Sequence, residues 1–261
     1  MNKTQFNHCV VIALVFLLIL AVSLMLHFCT TANKWPAVVV GIPFCMIHIT
    51  SRRDREKNAH RSLALAERAG FTPVNSGAIV GYEELQVNPF LDMTDFLNET
   101  RTVLRKGEVG CFRSHQASWY LGRDKGALVC EDDAILHDDC LIRMSNAIRY
   151  VSDVLKVRAF VIHGRYSAPR SFAQNCRNNY ITAELQEVKC PCYNANLYFA
   201  SAAACDLFCQ VASDPMYWMP VDDFLSSLSG CHPTRVIGQT ILAFAITPAG
   251  LHVMRTRSDT N

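Results

Sequence analysis

Four apolar residues run directly into three carboxylates, Ala127-Leu128-Val129-Cys130 and then Glu131-Asp132-Asp133, and this block constrains the chain most. A run of that length and composition reads as a short buried strand. Three adjacent carboxylates with no base between them repel, and burying them together is costly without a cation. Hard oxygen ligands of this kind suit Mg2+ or Mn2+. In open α/β sheets ligands bind at the carboxyl ends of strands, which is where the triplet would sit. The plainer reading is a solvated acidic turn, or a helix N-terminus that favours negative charge. Asp138 and Asp139 are read as decoration of that second kind.

The pattern around this block alternates between strand and helix. Cys45 to Ile49 reads as a first buried strand, followed by a polar turn over Ser51 to Arg55. Lys57 to Ala69 has helical periodicity, with Gly70 placed to end it. Phe71 to Asn75 reads as a strand, Gly107 to Tyr120 as a helix opened by glycine, and Cys140 to Leu155 as an amphipathic helix. Strands are expected at Ala159 to His163 and Asn196 to Ala200, a helix at Ala202 to Ala212, and one or two strands within Val236 to Thr247. Gly77 to Thr102 and Arg165 to Glu187 read as loops. Such alternation argues for an α/β layered fold with a mostly parallel sheet.

Val10 to Phe28 is an apolar run broken only by Ser23 and His27. At about 1.5 Å per residue, a helix of that length roughly spans a bilayer core of about 30 Å. An uncleaved signal anchor and a cleaved signal peptide both explain it, and both deliver the downstream residues to the lumen. The length of the run favours the anchor. The expected organisation is a short tail at 1–9, a transmembrane signal anchor at 10–28, a stem at 29–44 and one folded body at 45–261. Asn98-Glu99-Thr100 is a glycosylation sequon in that body. Of twelve cysteines, Cys9 and Cys29 lie in or beside the run, which leaves ten in the body. Lumenal folding would permit disulfides among them, and at least one is expected. No paired CxxC blocks support a zinc site. With 25 basic against 23 acidic side chains and no basic stripe, the composition excludes a nucleic-acid-binding surface.

Two further blocks carry chemistry. In Pro220-Val221-Asp222-Asp223-Phe224-Leu225 the apolar neighbours argue against a free acidic surface. Asp222 or Asp223 is a candidate general base for a hydroxyl, and a helix cap is the alternative. In Gly107-Glu108-Val109-Gly110-Cys111-Phe112-Arg113-Ser114-His115 the glycines permit close backbone approach to a ligand. Ser114 and His115 are candidate hydrogen-bonding groups there, with a satisfied core histidine as the alternative.

Together and in this order, the three blocks resemble glycosyltransferase family 25, from about Ile47 to about Pro248. Ile47-His48-Ile49 with Arg52, Arg53, Asp54 and Arg55 is similar to that family's opening strand and basic turn. His48, Thr50 and Cys130 depart from its usual pattern. The resemblance implies a GT-A-like nucleotide-sugar-binding fold and an inverting transfer of a hexose, often galactose from a UDP-sugar, to a glycan or glycoprotein. On the reading of the acidic triplet given above, Glu131 and Asp133 would hold the metal, with Asp132 in or behind the coordination sphere. Arg52 and Arg53 would lie near the nucleotide, and Asp222 or Asp223 would be the acceptor-side base. Combined with the apolar run, the expectation is a single-pass type II membrane protein whose catalytic body faces the ER or Golgi lumen. The alternatives are an inactive family member acting as a lumenal binding module, or a carbohydrate-binding module that holds calcium at the triplet.

Overall fold

β1 (Pro43–Ile47) and β3 (Ala127–Glu131) lie side by side, because each is an apolar run that no exposed surface could accommodate. The structure, a computed structural model, describes residues 39–79, 104, 106–163, 179–180, 185–188, 195–232, 237, 241–246 and 254–255. The expected membrane span at 10–28 and the Asn98 sequon lie outside them. Among the described residues no helix is long and apolar enough to cross a membrane.

The other elements in chain order are α1 (Arg53–Arg68), β2 (Thr72–Asn75), α2 (Lys106–Leu121), β4 (Ala134–Ile135), α3 (Asp138–Arg149), β5 (Ala159–His163), β6 (Asn179–Tyr180), β7 (Leu185–Glu187), β8 (Leu197–Ala200), α4 (Ala202–Ala212), α5 (Val221–Leu228), β9 (Leu242–Ile246) and β10 (Met254–Arg255). The main sheet has the order β2-β1-β3-β8-β5-β9-β7-β6. β1 pairs in parallel with β2 and β3, and β5 with β9. β8 is inserted antiparallel between β3 and β5, and β7 runs antiparallel to β9. The sheet is therefore mixed, with most strands pointing one way, and the fold is α/β. The carboxyl ends of β1, β3, β5 and β9 share one edge with the amino end of β8.

Strand alternation sends side chains to two faces. Cys45, Val129, Phe160, Tyr198 and Ala245 face one side, where they join Phe112 and Trp119 of α2, Phe208 of α4 and Phe224 of α5 in the core. There Trp119 stacks on Phe224 at 5.2 Å, and Phe112 meets Phe224 edge-on at 5.1 Å. The opposite face carries Phe44, Leu128, Val161 and Phe244 and is covered by α1 and α3. Gly70 has φ +90 and ends the α1 segment as its sequence position predicts. Ser201 caps α4 by accepting the Ala204 N–H, and it also accepts the Ala159 N–H across the sheet. The expected amphipathic helix ends its α form at Arg149, and Tyr150–Leu155 continues as a π-helical turn.

His163 closes β5 on the α1–α3 face. It is 2% exposed, and neither ring nitrogen has a hydrogen-bond partner. Burial lowers its pKa from 6.5 to about 4, assisted by Arg143 and opposed by Asp139. The unfolded chain therefore binds this proton more readily than the folded one. The contribution is intact above about pH 6.5, falls as pH drops toward about 4, and is worth on the order of 3 kcal/mol in full. Urea midpoints measured from pH 7 to pH 4.5 should fall less steeply for His163→Leu than for the unmutated protein.

Candidate active site

The acidic triplet sits where a strand leaves the sheet edge, and each of its carboxylates is held differently. Asp132 turns back beneath the sheet edge and is 4% exposed. Its Oδ2 accepts the Ile49 N–H at 3.1 Å and lies 2.9 Å from His48 Nδ1, while Oδ1 accepts from the Arg55 guanidinium at 2.9 Å. The Asn58 amide donates to the Asp132 and Ala134 carbonyls, both at 2.8 Å. Asp132 thus ties the end of β1, the first turn of α1 and the turn after β3 into one unit. Arg52 and Arg53 are on the outward side of that turn. Arg52 pairs with Asp54 at 2.8 Å and also feels the field of Asp132, whereas Arg53 is exposed.

Glu131 and Asp133 point to the other side of the edge. Asn196, just before β8, is 3% exposed and joins them: its carbonyl accepts the Glu131 N–H at 2.8 Å, and its side-chain amide donates to Asp133 Oδ1 at 3.0 Å. The preceding residue, Ala195, donates its N–H to Asp222 Oδ1 at 2.8 Å. A dipeptide therefore connects the triplet to the late acidic block. The electrostatics agree, since the Cys111 thiol is pushed well above its ordinary value by burial and by Glu131, Asp222 and Asp133. Three carboxylates act on one half-buried sulfur. Asp223, the next residue along α5, points elsewhere, with Oδ1 3.6 Å from His232 Nε2. Neither aspartate caps α5: both lie in its first turn, and Pro220 holds the cap position.

His115 is fully buried on α2, stacked on Tyr198 with ring centroids 5.6 Å apart. Its Nε2 lies 3.1 Å from Glu131 Oε1 and its Nδ1 lies 2.8 Å from the Tyr198 hydroxyl. Trp119 Nε1, which can only donate, reaches that same hydroxyl at 2.7 Å. The phenol hydrogen then goes to His115 Nδ1, and His115 carries its hydrogen on Nε2 and gives it to Glu131. Every polar atom in the chain Trp119–Tyr198–His115–Glu131 is satisfied by this one arrangement. Tyr198→Phe would strand the Trp119 N–H and His115 Nδ1 in the core. Its expected cost is roughly 2–4 kcal/mol, read by urea denaturation. Ser114 is also buried, donating to the Gly110 carbonyl at 2.7 Å and accepting the Ile79 N–H at 2.8 Å, so it pins residues near 79 to α2. Gly107 opens α2 with nothing within 4 Å of where a Cβ would be.

Among the described residues, one group of side chains lies close enough together to hold a metal. Cys111, His115 and Glu131 place one ligand atom each within 4.8 Å of one another. Ligation there would take the Cys111 thiolate and the Nε2 lone pair of His115, the nitrogen that faces Glu131 Oε1. Glu131, Asp133 and Asp222 each act on the Cys111 sulfur through their fields, and carboxylate oxygens are the ligand type that a hard divalent cation takes. A cavity of about 420 Å³ lies elsewhere, between α2 and α4, and its wall includes none of these three.

The model for glycosyltransferase family 25 (LPS biosynthesis protein) matches residues 44–211, well over half of the chain. The chain belongs to glycosyltransferase family 25. Membership indicates a glycosyltransferase, with a nucleotide-sugar donor and an acceptor. No curated protein matches the chain. The match takes in His48, the basic turn, the Gly107–His115 block, the triplet and Asn196, and it ends before Asp222 and Asp223. The tie between Asp222 and the triplet accordingly comes from geometry. Asn196, Tyr198, Arg55 and Cys111 escaped the sequence reading as site residues. Arg55 alone left a signal, because it starts the α1 stripe Arg55, Ala59, Ser62 and Ala66 that turns inward.

Proposed function

We propose that this chain transfers a hexose, galactose by family resemblance, from a UDP-sugar to a hydroxyl of a glycan or glycoprotein. The proposed reaction is inverting, on a GT-A-like fold, with bound Mn2+ or Mg2+. The observation that carries the reading is the junction at Ala195-Asn196, which brings Asp222 to Glu131 and Asp133 across a separation of about 90 residues in sequence.

In this reading Glu131 and Asp133 hold the cation. When bound, it neutralises charge on the diphosphate that leaves. His115 does not reach substrate; it orients Glu131 through the Nε2 hydrogen bond and is a positioning residue. Asp132 acts through the backbone it holds, fixing the turn that carries Arg52 and Arg53 at the nucleotide. Asp222, held by the Ala195 amide, takes the acceptor hydroxyl proton as that oxygen bonds to the anomeric carbon and the carbon–oxygen bond to UDP breaks. Asp223 pairs with His232 and supports α5. Ser114 acts at a distance, by fixing the segment beside α2.

The apolar run at 10–28 is proposed as a signal anchor that places the body in the lumen of the ER or Golgi, the run and the Asn98 sequon being its support. No disulfide joins any two of the seven described cysteines; Cys176, Cys190 and Cys192 lie outside the described residues. A donor screen tests the function. The purified protein with Mn2+ should release UDP from a UDP-hexose and from no nucleotide of another class, and chelation should abolish the release. Absence of release from every nucleotide-sugar would favour a binding module instead.

A further inference from the structure

A second recess lies on the opposite face of the sheet from the carboxylates. It has a volume of about 220 Å³ and lies between α3, the π-helical turn and the ends of β7 and β9. Arg143, Asn146 and Tyr150 line it at helical spacing, Arg149 flanks them, and Leu185 and Ile246 close the sheet side. Among the described residues its wall contains no carboxylate, and Asp139 stands near enough for its field to reach His163. Among the described residues, neither Arg143 nor Arg149 has an acidic group within ion-pair distance. Beside the recess stands His163, the register partner of Ile246 on the same sheet face. It is 2% exposed with both ring nitrogens unpartnered. A buried polar side chain without a hydrogen bond is uncommon and calls for a ligand, a water or a function.

The volume is below the roughly 300–1,000 Å³ of sites for drug-sized ligands, so the fitting occupant is small. Two guanidinium forks, an amide and a phenol offer donors from several directions. A planar carboxylate is satisfied by one arginine, whereas a tetrahedral phosphoryl group spreads three oxygens over several donors.

We propose that this recess is a binding site for a small phosphoryl compound, separate from the donor site and reached from the α3 side of the sheet. Bound there, the anion joins α3 to the β5–β9 edge and places acceptor oxygens beside Arg143, on the sheet face that carries His163. The site is independent of the transfer chemistry proposed above.

The test uses the full-length protein and two ligands, inorganic phosphate and glycerol 3-phosphate, against chloride at matched ionic strength. Melting temperature should rise saturably with at least one of them. Preference for glycerol 3-phosphate identifies a monoester as the ligand, and equal response identifies the free anion. Combined Arg143→Gln and Arg149→Gln substitution should weaken the apparent affinity by at least about tenfold while leaving UDP release unchanged. Both arginines are at least partly exposed, so the variant should fold. As a check on the unmutated protein, ligand should shift the ring signals of His163 in histidine-labelled NMR spectra. A rise that never saturates, or one that persists in the double variant, overturns the proposal. Unmoved His163 signals at saturating ligand do so as well.

Discussion

Asp133→Asn is expected to lower sugar transfer by about 10²–10³-fold or more without lowering the melting temperature of the metal-free protein. The side chain is 7% exposed and accepts a hydrogen bond from Asn196. An asparagine oxygen accepts the same bond, so shape and contact survive and only charge is lost. The fields of Glu131, Asp133 and Asp222 converge on Cys111, and removing one of them relieves repulsion in the absence of a cation. Stability without metal should therefore hold or rise, while the stabilisation given by Mn2+ with UDP should shrink. Turnover and melting temperature, measured together with and without Mn2+ and UDP, check both halves. A triplet that were only a surface turn would leave both measurements unchanged.

Asp132→Ala should have the opposite signature, a large loss of stability. Asp132 and Arg55 side chains are 5% and 10% exposed and meet at 2.9 Å. Truncating the aspartate removes a carboxylate from a buried guanidinium and strands the Ile49 N–H as well. Breaking a buried pair from one side typically costs about 3–5 kcal/mol, a fall in melting temperature of roughly 6–20 °C for a domain of this size. Much of the cost comes from the buried guanidinium losing this carboxylate. Adding Arg55→Met to Asp132→Ala should thus recover much of the loss, which a merely local packing defect would not do. Melting curves of the two single variants and the double variant give the answer. Recovery of stability without recovery of activity would separate the clamp from the turn it positions.

The contrast between Asp132 and Asp133 marks where sequence reading stops. The period and composition of Ala127–Cys130 announce a buried strand, and three following acids announce a site, so the place was legible. Which acid faces Asn196 and which faces α1 was not, because that depends on partners remote in sequence. Arg55 on α1 and His48 just after β1 claim Asp132, and Asn196 just before β8 claims Asp133. A similar limit applies to the sheet. Alternating strands and helices suggest parallel order, yet β8 enters antiparallel between β3 and β5, and nothing in Leu197–Ala200 encodes direction. That inversion is what brings Ala195 and Asn196 to the carboxyl edge, so the departure from parallel order builds the site. The histidine of the Gly107 block was legible as buried or functional. Its burial joins the two readings, since a fully enclosed His115 still touches Glu131. Asp222 and Asp223 are equivalent in sequence and distinct in space, because successive residues on α5 point about 100° apart. Only Asp222 meets Ala195.

The central claim is that the triplet and the late acidic block act as one site. A double-mutant cycle on kcat/KM tests it most directly, with the unmutated protein, Asp133→Asn, Asp222→Asn and the combined variant assayed on the same UDP-sugar with Mn2+. Residues that act as a unit are strongly non-additive. Each single substitution should cost about 10²-fold or more, and the combined variant should be little worse than the poorer single one. Independent, multiplying losses, or an Asp222→Asn variant with undiminished turnover, would contradict the account.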